Sequence, residues 1–367
     1  MSEVTPSGDP PPPPPAAPVP VRRRPFGVVG MMSLGAAVIV GVWTAYWLAM
    51  SNSVRDGIDS WITDQAARGV QVTYQSLEVQ GYPFWLDVRM SGARVYVESG
   101  VTVEWRPAFI QARARPWQMS TVEVDVAGAH ELVGARRVSM TARRLGATLT
   151  IGKGGAVSGF VVGKGLNGDI SRAGDFALGD VNVDFHWRGP ADGTQAVPLR
   201  IDFGADGAVL PAAWASPLGR GVETVRLIAR IAGQLSHLRD PDLLTNWRDD
   251  GGTLEVSRFN LHHGPLRVGG DGTLALDRAL QPVGAFAVRA EGFMETVDAL
   301  RDRHLIGPGE AAAMKLVLTV LATRPAGQAP RLEAPLTLQD RRVSLKTLTL
   351  MKLPRIDWTR VLGVPSP

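Results

Sequence analysis

The sequence predicts an α+β protein that is mainly antiparallel β, a long twisted sheet or meander with a few packed helices, preceded by one N-terminal transmembrane helix. Three observations carry this expectation. Short runs of alternating apolar and polar residues fill most of the chain. Helical spacing appears in only a few segments, and one stretch near the N-terminus, Phe26 to Met50, is almost wholly apolar. Composition agrees: 367 residues with 45% hydrophobic and 20% charged side chains exclude wholesale disorder, a coiled coil and a multi-span transporter.

Taken in order, residues 1–24 form a proline-rich tail in which Pro10 to Pro15 are unbroken, so an extended, disordered cytoplasmic segment is expected. Residues 25–50 form the anchor. Pro25 to Val54 contain no charge, which is longer than the roughly 7 to 15 apolar residues of a cleaved signal. Arg22, Arg23 and Arg24 precede the span and Trp43, Tyr46 and Trp47 cluster near its far end. That pattern places the N-terminus in the cytoplasm and the body across the inner membrane, in the periplasm.

Residues 51–69 follow as an amphipathic stalk helix, with Ser51 or Asn52 as its cap, Val54, Ile58, Trp61 and Ile62 at helical spacing, and Gly69 as its stop. From 70 to 210 the period changes to two. Val70 and Val72, then Leu86, Val88 and Met90, then Val122 and Val124, then Val181, Val183 and Phe185 typify an N-terminal β-rich part with one wet face. A helical insert is expected over 211–252, from Val225, Ile228, Ile231, Leu235 and Leu238 and from Leu243 to Trp247, ending at Gly251-Gly252. Residues 253–367 form a C-terminal β-rich part. It includes a helical hairpin, with Phe293, Val297 and Leu300 on one helix and Pro308 opening the next, and final strands at Leu336 to Leu338 and Val343 to Leu350.

Few residues point to chemistry. The chain has no cysteine, which excludes thiolates, disulfides and Cys-ligated metals. His262 and His263 are adjacent, and neighbours in a strand face opposite ways, so no metal site is expected there. No GxSxG or GxxxxGK[ST] occurs, and Gly152-Lys153-Gly154-Gly155 and Gly163-Lys164-Gly165 read as turns. Asp249-Asp250-Gly251-Gly252 reads as a helix end. Net charge is +4 with three of the positives in Arg22–Arg24, so no nucleic-acid face is implied, and no cofactor. Strand arginines such as Arg89, Arg94, Arg106, Arg113 and Arg115 are expected on the solvated face. Trp61, Trp85, Trp105, Trp117 and Trp187 fill a core or line a groove, and spacing does not separate the two. Gly81-Tyr82-Pro83-Phe84 reads as a hairpin corner, and Tyr82 and Trp85 are the candidate contacts for a ligand at a groove mouth.

The order of these features carries a resemblance. Ile58-Asp59-Ser60-Trp61 and Val79-Gln80-Gly81-Tyr82-Pro83-Phe84 come first. Asn246-Trp247-Arg248-Asp249, Gly272-Thr273-Leu274-Ala275-Leu276-Asp277, Gln281-Pro282-Val283-Gly284 and Pro335-Leu336-Thr337-Leu338 with Leu353-Pro354 follow in sequence. The chain resembles an alphaproteobacterial membrane-anchored family of unknown function, DUF2125, from about Phe26 to Trp358, with Arg341-Arg342 standing where such sequences more usually have a glycine turn. The resemblance implies an envelope protein and no established catalytic residues. More distantly, the corner and the strand-rich body are similar to parts of AsmA-type envelope proteins, which carry lipid along β-sheet grooves. The expectation is therefore a non-enzymatic inner-membrane protein that binds lipid in envelope assembly or maintenance. The alternatives are a scaffold for another envelope protein and, with less support, a hydrolase.

Overall fold

The structure, a computed structural model, describes residues 26–67, 69–99, 101–187, 199–233, 242–323, 330–345 and 348–358. The proline run and Arg22–Arg24 lie outside them. Two units are distinguished, Met1–Ala49 and Met50–Pro367.

Helix α1, Phe26–Ala66, runs without a break, and from Met31 onward it is long and apolar enough to cross a bilayer by length and composition. In the first unit Met31, Leu34 and Ile39 are two-thirds exposed or more, as apolar side chains without a protein partner would be in a membrane helix. The expected cap at Ser51 or Asn52 is corrected: both lie inside α1. Neither Gly nor Pro stands at this point to interrupt the helix, so Ser51 is carried as an interior residue.

The second unit opens with β1 (Val70–Thr73), β2 (Ser76–Gln80), β3 (Leu86–Ser91), β4 (Arg94–Ser99), β5 (Val101–Pro107), β6 (Phe109–Arg115), β7 (Gln118–Asp125), β8 (Gly128–Val133) and β9 (Arg137–Ile151). All pairings are antiparallel. The long strand β9 binds β8 through residues 137–142 and β7 through residues 146–150. One arm then runs β9–β8–β5–β4–β1 and the other β9–β7–β6–β3–β2. β1 passes into β2 across only Tyr74 and Gln75, so the two arms meet again through the chain, and the connectivity runs as a circuit in which, among the described residues, β1 pairs only with β4 and β2 only with β3.

Beyond the circuit the chain becomes a meander: β10 (Val157–Ile170), β11 (Gly174–Trp187), β12 (Arg200–Val209), β13 (Gly221–Ala232), β14 (Thr253–His263), β15 (Leu266–Leu276), β16 (Pro282–Glu291), β17 (Leu332–Gln339), β18 (Arg342–Leu345) and β19 (Leu348–Lys352). Each strand pairs with its sequence neighbour, and β10 pairs with β9 along its length. Helix α2 (Leu243–Asp249) precedes β14, and α3 (Phe293–Asp302) and α4 (Pro308–Leu321) form the expected hairpin between β16 and β17.

Three expectations change here. Val225, Ile228 and Ile231 belong to β13, not to a helix; Val225, Leu227, Ala229 and Ile231 also alternate, and pairing with β12 and β14 decides for the strand. Leu235 and Leu238 lie outside the described residues. Gly163-Lys164-Gly165 is not a turn but part of β10, where the register steps from Lys164 opposite Arg144 to Leu166 opposite Ala142. Gly165, at φ +58°, takes up the extra residue as a bulge. The last expected strand is two, β18 and β19, and Arg341-Arg342 does not prevent the hairpin before it: Asp340 and Arg341 both adopt positive φ, 51° and 62°, between paired Gln339 and Arg342.

Candidate functional site

In an antiparallel sheet, directly opposed residues share a face. Following those partners from strand to strand gives two apolar rows that cross most of the unit. One runs Leu86, Ala114, Val122, Leu149, Gly159, Phe185, Ile201, Ala229, Val256, Gly272, Phe286, Leu336, Leu345. The next runs Val79, Val88, Ala112, Val124, Ala147, Val161, Val183, Phe203, Leu227, Phe259, Gly270, Val288, Ala334. Each residue sits on its own strand, and no polar side chain interrupts either row.

The opposite face is the reverse. Arg144, Lys164, Asp180, Asp206, Thr224, His262, Arg267 and Glu291 are successive partners across it. Ion pairs lace this surface, among them Arg226 to Asp206 at 2.6 Å and Arg230 to Glu255 at 2.5 Å. The Arg226 guanidinium beside Asp206, helped by the Thr224 hydroxyl and opposed by burial, holds that carboxyl below its usual range.

Within the circuit Val79, Leu86 and Ala114 of these rows are buried, and Val88, Ala112, Val122, Val124, Ala147 and Leu149 are half-buried. On the meander the small or terminal members Ala229, Val256, Ala334 and Leu345 are buried, but the large central ones are more open. Val161, Val183, Phe185, Ile201, Phe203, Leu227, Phe259 and Phe286 are all only half-buried. Three phenylalanine rings lie over glycines of the neighbouring strand, Phe185 at Gly159, Phe259 at Gly270 and Phe286 at Gly272, where an added Cβ would meet the ring. Phe259 and Phe286 meet edge to face, with centroids 6.0 Å apart. The glycines let large rings lie down, so the meander presents an extended apolar surface. Its far end is covered by α3 and α4, whose Phe293, Met294, Leu318 and Leu321 pack with Ala290, Leu332 and Ala334.

The residues singled out from the sequence fall elsewhere. Tyr82, 46% exposed, stands in the β2–β3 turn. Trp85 precedes inward-facing Leu86, with the Arg113 and Arg115 guanidiniums over its ring at 5.5 and 5.1 Å. The structure does not bring either to the apolar rows. Of the other tryptophans, Trp61, Trp117 and Trp187 are exposed. Trp105 stacks on His130 and donates its Nε1–H to Nδ1 at 3.3 Å. That bond puts the His130 proton on Nε2, which is buried with no partner within hydrogen-bond distance; burial lowers the ring's pKa, and the nearby Val126 carbonyl partly offsets this.

Sequence reasoning missed one pair. Ser216 Oγ contacts His263 Nε2, while His263 Nδ1 donates to the Gly221 carbonyl at 2.6 Å. The arrangement has the tautomer of a nucleophile and base. Ser216 Oγ also accepts the Leu218 amide at 3.0 Å and lies 3.3 Å from the Gly219 carbonyl, so the same contacts pin the β12–β13 turn. Residues 47 apart in sequence with no shared local motif gave no signal. Among the described residues no group of three or more His, Asp or Glu side chains converges as a metal site.

No curated protein and no solved structure matches the chain. The family model described as "Uncharacterized protein conserved in bacteria (DUF2125)" matches residues 47–354, from the middle of α1 to just past β19. Covering most of the sequence and nearly the whole β-rich unit, that match makes the chain a member of the DUF2125 family.

Proposed function

We propose that this is a non-enzymatic protein of the inner membrane whose periplasmic body holds lipid acyl chains along the apolar rows. The half-exposed strip from Val161 to Phe286 carries the reading. Burying hydrocarbon there gains about 0.8 kcal/mol per methylene, and a row without hydrogen-bonding side chains suits a chain without polar groups. The apolar α1 supports the membrane assignment, and Arg22–Arg24 before it support a cytoplasmic N-terminus.

The test is a photo-reactive amino acid placed in the full-length protein in cells, at Phe203 on the apolar row or at Asp202 on the opposite face. A phospholipid or other acyl adduct at 203 and none at 202 is the expected result. Adducts at neither, or equally at both, reject lipid holding. A single dominant protein adduct at either position, or at Thr349 on β19, which among the described strands pairs only with β18, favours the scaffold reading. A periplasm-dependent reporter fused after Pro367 should be active; silence there, with an active cytoplasmic reporter, reverses the topology.

A further inference from the structure

Helix α4 has two apolar faces. Its inner face meets the sheet: Ala311 is buried, and Leu318 and Leu321 pack against the cluster of Ala290, Leu332 and Ala334. Its outer face carries Leu316, Val317 and Val320, which with Ala313 recur at helical spacing, and they are 67%, 44% and 77% exposed. Leu305, in the turn before α4, is 59% exposed. Outside α1, Leu316 and Val320 are the most exposed large hydrophobic side chains among the described residues. An exposed apolar stripe of this kind is ordinarily covered by a second surface.

The chemistry of the outer stripe selects its cover. It is wholly aliphatic and contains no Trp, Tyr or Arg, the residues that anchor protein interfaces. The helix's lysine is already engaged: Lys315 Nζ donates to Asp298 Oδ2 at 2.7 Å, across the α3–α4 hairpin. The 14 residues of α4 span about 21 Å, too short to cross a hydrocarbon core of roughly 30 Å but suited to lie in its surface. The body is also tethered beside a bilayer if α1 spans one, so a lipid surface is its nearest apolar phase at all times.

We infer that the outer face of α4, led by Leu316 and Val320, rests in the acyl region of the bilayer surface. This rests on the reading of the chain as a membrane-anchored lipid carrier and adds to it a place of exchange. α4 touches the end of the apolar sheet face with one side and hydrocarbon with the other, so an acyl chain passing between them stays out of water.

The absence of cysteine from the chain makes the test direct. Full-length protein carrying Leu316→Cys, Val320→Cys or, on the opposite sheet face, Glu333→Cys is labelled with bimane and reconstituted in phosphatidylethanolamine–phosphatidylglycerol vesicles. At 316 and 320, phospholipid brominated on its acyl chains should quench several-fold more than at 333, and aqueous iodide several-fold less. Iodide quenching at 316 and 320 equal to that at 333 overturns the inference, as does protection from both quenchers, which would mean a protein cover. Because both side chains are exposed, the variants should melt with the unsubstituted protein. Lipid adducts at Phe203 read the carrier function separately: adducts without bilayer quenching reject only the α4 contact, and quenching without adducts rejects only the carrier.

Discussion

The circuit of β1–β9 and the meander of β10–β18 are written in the same alternating pattern and share two apolar rows, yet they treat those rows differently. In the circuit, Leu86 is 1% exposed. Along the meander, Phe185 and Ile201 continue the same row half-exposed, and α3 and α4 pack at its far end. Alternation therefore fixes which face is apolar but not what covers it. A buried row residue such as Leu86 contributes to stability, and a half-exposed one such as Phe185 leaves apolar area accessible.

The sharpest way to break this comparison is to truncate one leucine in each region. Leu86→Ala should cost about 2–5 kcal/mol, the range for a fully buried leucine that leaves a cavity. Leu227→Ala, removing a half-exposed side chain, should cost about 1 kcal/mol, for the transfer of fewer buried methylenes. Chemical denaturation of the two variants measures both. Equal losses would show that the Leu227 site is packed as tightly as the Leu86 site.

A second test concerns how the circuit turns its corner. Gly81 has φ +100°, and a Cβ there would stand 2.8 Å from the Trp85 carbonyl oxygen, while the Trp85 amide donates to the Gly81 carbonyl at 2.9 Å. Gly81→Val should cost on the order of 1–3 kcal/mol, through both backbone strain and contact. A fall in melting temperature without any change in the Phe203 adduct is the expected outcome. If adduct formation is lost at unchanged stability, the corner serves the ligand rather than the circuit.

Much of this architecture was legible in the residues. Pro308 opening a helix, Gly251 ending one, and the strand pairs around Val181 and Val268 follow from spacing and turn chemistry alone. β13 was misread because Ile228 puts an apolar residue on its polar face, so Val225, Ile228 and Ile231 imitate a helical period. The circuit was not legible, because only pairing shows that β9 serves two arms and that β1 and β2 take different partners, β4 and β3. The candidate surface was half legible: alternation marked its residues, but Phe185 over Gly159 and Phe286 over Gly272 depend on register, which sequence does not print.

The third test uses pH to separate the regions. Burial holds His130 below its ordinary value of 6.5, so as pH falls through 6.5 the unfolded chain takes up a proton that the folded circuit resists. The stability that His130 contributes is full above 6.5 and is lost as pH falls toward the folded pKa. Denaturation between pH 7.5 and about 5 should show a downward slope that His130→Phe reduces. A slope unchanged in that variant would place the acid sensitivity outside the circuit.

The smallest effect should come from the polar face of the meander, and it is the control on which the comparison depends. Arg289 Nε lies 3.4 Å from Glu333 Oε1, with the two side chains 65% and 57% exposed. Water screens such a pair and its long side chains lose entropy in holding it, so Arg289→Ala should cost less than about 1 kcal/mol and less still at high salt. Its neighbour Val288 points to the other side of the same strand and belongs to the apolar row. Val288→Asp would set an unpaired carboxylate among Phe259, Gly270 and Ala334, where hydrocarbon should lie, and should reduce the Phe203 adduct while Arg289→Ala leaves it intact. One residue of displacement along β16 thus changes which function is touched. If Arg289→Ala reduced the adduct as much as Val288→Asp, the ligand would be recognised by the charged face, and the division of labour between the two faces would be wrong.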